Sequence, residues 1–264
     1  MTSTIAAETV RRAPRRAVRP ALVTVFWLAV WQVASVAVDQ EIFLVSPVGV
    51  VVRLAELVGT TDFWGTVGHS LVRIAAGFLA AALVGALAAA LAAASSVVDA
   101  LLSPLVTAVR STPVVSFIIL VLMLPIRGQL AFVISFLMVL PITYTNVLEG
   151  IRHRDRALLE VATVFRVPLV RRLPAMDVPA VLPFFTAACR IGVGLAWKSG
   201  IAAEVIGLAD GSIGERLYEA KILLSSADLF AWTAVIIAAS FGFEKLVLSA
   251  LRRTEARLSR GRVA

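Results

Sequence analysis

Three charged side chains interrupt an otherwise apolar stretch near residues 179–206: Arg190, Lys198 and Glu204. A charge at the centre of a bilayer costs roughly 2.5–3.5 kcal/mol on insertion scales, so such residues usually face a polar path or each other. The pattern therefore makes all three candidates for lining the path of a polar solute. Lys198 is the strongest, because it has no obvious partner near it in the sequence. The structural alternative for all three is internal pairing or snorkelling, and for Lys198 the partner would be Glu204 or a residue of another segment.

The amino-acid composition indicates the class of protein that contains these charges. The chain has 264 residues, of which 59% are hydrophobic and 16% are charged, and its mean hydropathy is +0.92. Soluble domains are typically about 45–50% apolar and about 25% charged. The sequence therefore predicts an all-α integral membrane protein with one domain.

The apolar blocks predict where the chain crosses the bilayer, since a spanning helix needs about 20 apolar residues. The third block is interrupted at Arg110, Ser111, Thr112 and Pro113. Proline after polar residues breaks or bends a membrane helix, which leaves two alternatives: one kinked span, or a short helix followed by a span. The six predicted spans lie near residues 20–38, 67–93, 99–124, 129–148, 179–206 and 228–250.

The net charge of +8 comes from arginine clusters that flank the apolar blocks. Three clusters hold 16 of the 25 basic residues, and the positive-inside rule places all three in the cytoplasm. This distribution argues against a nucleic-acid-binding face. It predicts a basic tail at 1–19, a transmembrane domain at 20–250 with a cytoplasmic loop at 150–178, and a basic tail at 251–264. The clusters are Arg11, Arg12, Arg15, Arg16 and Arg19; Arg152, Arg154, Arg156, Arg166, Arg171 and Arg172; and Arg252, Arg253, Arg257, Arg260 and Arg262.

Motifs for catalysis are missing from the sequence. None of the three lysines follows a glycine-rich phosphate-binding run, and no His-Glu-x-x-His or Gly-x-Ser-x-Gly motif is present. Cys189 is the only cysteine, so neither an intrachain disulfide nor a cysteine-based metal site is expected. We predict no catalytic residue, no metal and no cofactor, and any ATP hydrolysis by a separate chain.

Two further local patterns concern packing. Ser46 and Pro47 predict the start of a short external helix that runs through Leu57. Small residues also recur every four positions, which lets helices approach closely within one subunit or across a face shared with a second subunit. These ladders are Gly77, Ala81, Gly85, Ala89 and Ala93 in the second span, and Ala188, Gly192, Ala196 and Gly200 in the fifth.

The polar stretch from Glu160 to Pro179 lies between two long apolar blocks. Apolar residues recur at helical spacing from Leu158 to Phe165, which predicts a short helix with one apolar side. Pro168 can open a second short helix, because proline fits a first turn. The result is a helix–turn–helix loop whose apolar stripe needs a partner.

This stretch resembles the EAA loop of ABC-importer permeases of the binding-protein-dependent type, which reads Glu-Ala-Ala, three residues, Gly, nine residues, Ile-x-Leu-Pro. Glu160, Ala162 and Pro179 keep their identities, whereas Arg166 stands where the family has glycine. The segment Arg190-Ile-Gly-Val-Gly-Leu-Ala-Trp, followed by Ala203-Glu204, is similar to the nitrate, sulfonate and taurine branch of these permeases. The resemblance extends over nearly the whole chain from about residue 20.

The resemblance implies the fold of a type I ABC-importer permease in the bacterial plasma membrane, with both termini in the cytoplasm. Its expected partners are two ATP-binding subunits, a second permease subunit, most simply another copy of this chain, and an extracytoplasmic substrate-binding protein. The expected solute is an organic or inorganic anion of sulfonate, nitrate or taurine type, or a pyrimidine precursor of thiamine. Contact with the ATPase is expected from Glu160, Val161, Ala162, Phe165 and Arg166.

A protein of another class remains as an alternative. An ion-coupled secondary transporter would use Lys198 and Glu204 for coupling. Secondary transporters are commonly built from inverted repeats, and this sequence shows no such repeat, which makes that alternative a poor fit. A membrane enzyme is a more distant third, because no set of nucleophile and base is recognisable.

Overall fold

The computed structural model describes residues 15–40, 42–124 and 127–260, and within these residues every regular element is helical. The predicted basic tail lies outside the described residues up to residue 14. A 3-10 turn at Arg127–Gln129 precedes α6, and a π-helical segment at Leu173–Asp177 joins α8 to α9. The helices are α1 Arg15–Val38, α2 Pro47–Val58, α3 Thr61–Ala94, α4 Ser96–Ser111, α5 Val114–Leu122, α6 Leu130–Arg152, α7 Arg156–Val164, α8 Leu169–Arg172, α9 Val178–Gly207, α10 Ile213–Ile222 and α11 Ser226–Arg260.

The core forms around α6, which packs extensively against both α3 and α9. Ile74 and Phe78 of α3 and Val193 and Trp197 of α9 are almost fully buried, and they belong to one hydrophobic cluster. These three helices therefore form the framework on which the other elements lie.

The small-residue ladders allow this close packing. A Cβ atom at Gly85 of α3 would lie 2.9 Å from the Cβ of Thr143 in α6, and one at Gly200 of α9 would lie 2.6 Å from Ile74 in α3. Both ladders thus pack within one chain, as the first alternative predicted, apart from the exposed Ala93. The alternative of a face shared with a second subunit is wrong for the buried members.

Among the residues that the structure describes, four helical segments are long and apolar enough to cross a membrane. They are Thr61–Ala94, Leu130–Arg152, Leu169–Gly207 and Ser226–Thr254. The pair of α4 and α5 makes a fifth crossing if it counts as one broken span. The apolar part of α1, Leu22–Val38, has 17 residues and extends ~26 Å at 1.5 Å per residue, which is at the lower limit for a spanning helix, so the sixth crossing stays a prediction.

The third apolar block is broken at the position that the sequence predicts, between the end of α4 at Ser111 and the start of α5 at Val114. The axes of α4 and α5 meet at 100°. Pro113 has no N–H group, and Thr112 before it takes an extended conformation with ψ 131° while its hydroxyl donates to the carbonyl of Ala108 at 2.7 Å. The nine residues of α5 reach only ~14 Å. The alternative of a short helix followed by a full span is therefore wrong, and the block is a broken span or a re-entrant pair.

Chain direction defines two ends of the bundle. The loop end carries α7 and α8 with the last residues of α6, and the opposite end carries α2 and α10. The predicted helix after Ser46 is confirmed, because Ser46 accepts from the N–H of Gly49 and Pro47 occupies the first turn of α2. At the loop end α11 continues to Arg260, so most of the predicted C-terminal tail is helical.

An ion pair fixes α2 to the start of α11. The Arg53 Nε atom lies 2.6 Å from the Asp228 Oδ1 atom. Hydrogen bonds to Asp228 and Glu56 raise the pKa of the Arg53 guanidinium above its ordinary value. At the α10 end, α2 and α11 are therefore joined by an ion pair in addition to the apolar core.

Candidate transport site and coupling loop

One exposed stripe of α9 carries two cationic side chains, Arg190 and Lys198. Eight residues apart, they lie within about 80° of each other around a helix of 3.6 residues per turn. Gly194 lies between them, and a Cβ atom there would meet nothing within 4 Å. In the part of the chain that the structure describes, neither cation has an ion pair or a side-chain hydrogen bond. The stripe therefore presents unpaired positive charge on an open surface.

Arg190 and Lys198 lie at different depths along α9. Arg190 follows Val178 by twelve residues, which is ~18 Å along the axis, and Lys198 follows it by ~30 Å. Lys198 precedes the end of α9 at Gly207 by only ~14 Å. The two charges are thus placed in series, one near the middle of the bundle and one closer to the α10 end.

The third candidate, Glu204, is fully buried and does not pair with Lys198. Its Oε2 atom accepts a hydrogen bond from the Ser70 hydroxyl at 2.7 Å and one from the N–H of Gly214 at 3.3 Å. The Ser70 oxygen in turn accepts from the N–H of Ile213 at 2.9 Å. These contacts join α3, α9 and α10, so the position of Glu204 supports the structural alternative and lends no support to a place on the path.

The first turn of α10 explains why a carboxylate is needed there. Helix N-termini leave N–H groups unpaired and carry partial positive charge, which a buried carboxylate satisfies. Ser212 accepts from the N–H of Glu215 at 3.1 Å, and the Glu215 carboxylate accepts from the N–H of Gly211. The Ser-x-x-Glu spacing is a capping signal that could have revealed α10 in the sequence. No comparable pattern in the sequence indicates that Ser70 and Glu204 also bind the first turn of α10.

The loop predicted at residues 150–178 is called the coupling loop below, because the resemblance implies that it contacts an ATPase. It has the predicted form of two short helices, α7 and α8. Asp155 caps α7 by accepting from the N–H of Ala157 at 2.9 Å, and Pro168 immediately precedes α8. On α7, Glu160 is exposed, Val161 is 50% exposed and Phe165 just beyond the helix is 76% exposed.

The burial of Ala162 differs from the prediction that it belongs to the apolar stripe that contacts a partner. It is only 3% exposed, so it packs within this chain and is not available for direct contact with another protein. The exposed apolar surface of the loop is formed by residues around it. They are Leu158, Val161, Val164, Phe165, Leu169 and Val170.

Arg166 keeps the turn that glycine makes in the resembled motif. Its φ of +50° lies in the left-handed region, which glycine adopts most easily. The N–H of Val167 donates to the carbonyl of Ala162 at 2.9 Å, and the N–H of Arg166 donates to that of Thr163 at 3.0 Å. This pair of bonds defines a Schellman motif at the end of α7. The substitution of the glycine therefore leaves the turn in place, at an energetic cost.

That cost leads to a prediction for Arg166→Gly. The left-handed conformation costs a non-glycine residue roughly 1–2 kcal/mol, so the variant should raise the free energy of unfolding by about 1 kcal/mol after the greater freedom of unfolded glycine is subtracted. Thermal unfolding in detergent measures the change. The control Arg171→Gly, in the regular turn of α8, should lower stability instead. Equal shifts for the two variants would contradict the assignment of strain to Arg166.

The base of the loop contains a buried carboxylate that sequence reasoning missed. Asp177 is 6% exposed and contacts two arginines. Its Oδ2 atom lies 3.0 Å from the Nε of Arg172, and its Oδ1 atom accepts from the guanidinium of Arg154. The loop is thus fixed where it leaves α6 and where it enters α9.

Comparison with known proteins agrees with this arrangement. The family described as binding-protein-dependent transport system inner membrane component matches residues 81–259, which is more than half of the chain. The matched region begins within α3 and includes α6, the coupling loop and α9.

Individual relatives extend the similarity toward the N-terminus. A Bacillus subtilis (strain 168) protein whose name assigns it to aliphatic sulfonates transport is 28% identical over 263 residues, with 97% of this chain and 93% of that protein covered. The taurine transport system permease protein of Escherichia coli (strain K12) is 26% identical, with 84% and 82% covered. The nitrate import permease protein of Synechococcus elongatus is 29% identical, with 74% and 73% covered.

Proposed function

Since this chain belongs to the binding-protein-dependent transport system inner membrane component family, whose members are permease subunits of ABC importers, we propose that it pairs with a second copy of itself to form a path for a small anion. The observation that carries this proposal is the exposed stripe of α9 with its two unpaired cations, Arg190 and Lys198. In a region of low dielectric constant, each cation attracts an anion far more strongly than it would in water.

The proposed solute is an oxyanion such as a sulfonate or nitrate. The relatives named above are assigned by their names to aliphatic sulfonates, taurine and nitrate, which share negatively charged oxygens on a small central group. Arginine and lysine both donate hydrogen bonds to such oxygens. A neutral pyrimidine, the other solute that the resemblance suggested, would supply no negative charge to these two cations, so their placement favours the anion.

The coupling loop supplies the second half of the proposal. The exposed apolar residues of the coupling loop, among them Val161 on α7 and Phe165 just beyond it, would dock on a separate ATPase, one for each permease copy. Because the loop also carries six of the basic residues, the positive-inside rule puts this end in the cytoplasm. The α10 end would then face outward, where a binding protein delivers the solute and where Lys198 meets it first.

Phe165→Asp tests the docking of the loop. A charge at this 76% exposed apolar position should remove most of the association with the ATPase and of ATP-driven uptake, because the carboxylate would have to lose its water at the interface. Co-purification of the two subunits and uptake into vesicles measure both effects. A mass of two permease chains in the purified protein tests the pairing of copies.

A matched control lies at the other end of the bundle. Leu223 follows α10 and is 75% exposed, so Leu223→Asp makes the same kind of change away from the loop and should leave ATPase binding intact. Normal binding by Phe165→Asp, or equal loss in both variants, would contradict docking at α7 and with it the proposed orientation.

A further inference from the structure

The second half of the coupling loop is continuous with the helix that carries the candidate site. From Leu169 to Gly207, α8, the π-helical segment and α9 form a single helical stretch of 39 residues. A displacement of α8 could therefore pass directly into α9. Whether it does so depends on the stiffness of the junction at Leu173–Asp177.

The junction is the part of this stretch that departs from α-helical geometry. Pro174 has no N–H group to donate and disfavours a regular α-helical turn before it. The segment is π-helical, with the N–H of Val178 donating to the carbonyl of Leu173, five residues earlier. Such segments are rare in helices and occur often at functional positions. Without further support, this junction would bend when the loop is displaced.

Asp177 supplies that support along the helix. Arg172 and Asp177 are five residues apart, and their Nε and Oδ2 atoms are separated by 3.0 Å. In an α-helix, residues at this spacing lie ~140° apart around the axis and do not face each other. The ion pair therefore fits the π-helical winding of the junction and stabilises it against a return to the α-helical repeat.

Asp177 also fixes the junction to the central helix of the bundle. Its other oxygen contacts the guanidinium of Arg154, which lies just beyond the end of α6. The Nε of Arg154 donates to the carbonyl of Ile151 at 2.8 Å, so the arginine is itself held in place. A single buried carboxylate thus joins α6, the loop and α9.

We propose that Asp177 is a positioning residue that makes the coupling loop, the end of α6 and α9 move as one body. Displacement of the loop then reaches the stripe of Arg190 and Lys198 and is not absorbed at the junction. The inference rests on the proposed function, in which α7 contacts the ATPase. Its specific consequence is that loss of Asp177 uncouples ATP hydrolysis from transport without preventing the two subunits from binding.

The experiment uses the complete importer, with its ATPase and binding protein, in liposomes. The probe is whichever of labelled taurine, methanesulfonate or nitrate the wild-type importer takes up. Asp177→Asn keeps the shape of the side chain and removes its charge, and it should lower the solute transported per ATP hydrolysed at least fivefold. Association with the ATPase should stay within twofold of the wild type. Amide hydrogens in the Leu169–Val178 segment should exchange at least tenfold faster, whereas those of α3 should not change.

Asp62→Asn is the matched control. It removes the ion pair of Asp62 with Arg216, which is 2.6 Å long and lies at the α10 end, and it should leave the transport ratio unchanged. If Asp177→Asn fails to fold, Arg172→Gln replaces it, because this variant keeps the contact of Asp177 with Arg154 and should still lower the ratio at least twofold.

An unchanged ratio in the folded variant would overturn the inference, and so would a loss of ATPase binding that fully accounts for the loss of transport. A wild-type importer that binds no ATPase would instead refute the proposed function, and the role of Asp177 with it. The two failures are therefore distinguished by the wild-type protein alone.

Discussion

Gly214→Ala is expected to lower the free energy of unfolding by about 3 kcal/mol, which is the upper part of the usual range for overpacking a closed site. A Cβ atom at this position would lie 2.5 Å from the backbone carbon of Glu204 and 2.5 Å from the nitrogen of Val205. These are backbone atoms of a long helix, so a change of side-chain rotamer cannot relieve the clash. The start of α10 would have to separate from α9, and the hydrogen bonds of Glu204 and Ser70 would be lost with it.

Gly194→Ala provides the control for this variant. Gly194 lies within α9, and a Cβ atom there meets nothing within 4 Å. Because alanine favours a helix over glycine by about 1 kcal/mol, Gly194→Ala should be neutral or slightly stabilising. Thermal unfolding in detergent, with hydrogen exchange of α10 as a local readout, distinguishes the two. Equal stability of both variants would show that α10 is not held by this contact.

Lys198→Met should reduce anion uptake at least tenfold while leaving the folded protein intact. The substitution keeps an unbranched side chain of similar length and removes the charge that would attract the solute. Since Lys198 is exposed and forms no ion pair with any residue that the structure describes, its loss leaves no partner uncompensated. Initial uptake rates and thermal unfolding of the same preparations measure the two quantities separately.

Lys245→Met is the matched control for Lys198→Met. Lys245 is also exposed on an apolar helix and also lacks an ion pair among the described residues, but it lies on α11. Its replacement should leave uptake close to that of the wild type. Normal uptake by Lys198→Met would remove the main support for an anionic solute, and a large loss of stability would identify Lys198 as a structural residue.

Features that depend on neighbouring residues could be predicted from the sequence. The helix after Ser46, the break before Pro113 and the two helices of the coupling loop are each encoded by a cap, a proline or a local apolar period. The packing of the small-residue ladders was predicted only as one of two alternatives, because a ladder does not specify which helix it approaches. The structure assigns it to contacts among α3, α6 and α9.

Features that depend on distant residues could not be predicted. Glu204 and Ser70 are 134 residues apart, and no single-sequence pattern indicates that a charged residue in an apolar span will cap another helix. Asp177 and Arg154 are separated by 23 residues and by a whole loop. Burial of Ala162 likewise depends on how α7 folds back on its surroundings, which helical spacing alone does not determine.

The continuous helical stretch from Leu169 to Gly207 has the proportions of an unequal lever. If Asp177 is its fulcrum, the arm within the loop is ~12 Å long and the arm within the bundle is ~45 Å long. A tilt that moves Leu169 by ~1 Å would then carry the far end of α9 by ~4 Å, which approaches the diameter of a small oxyanion. A modest movement at the loop would thus be multiplied into one large enough to open or close a passage at the opposite end.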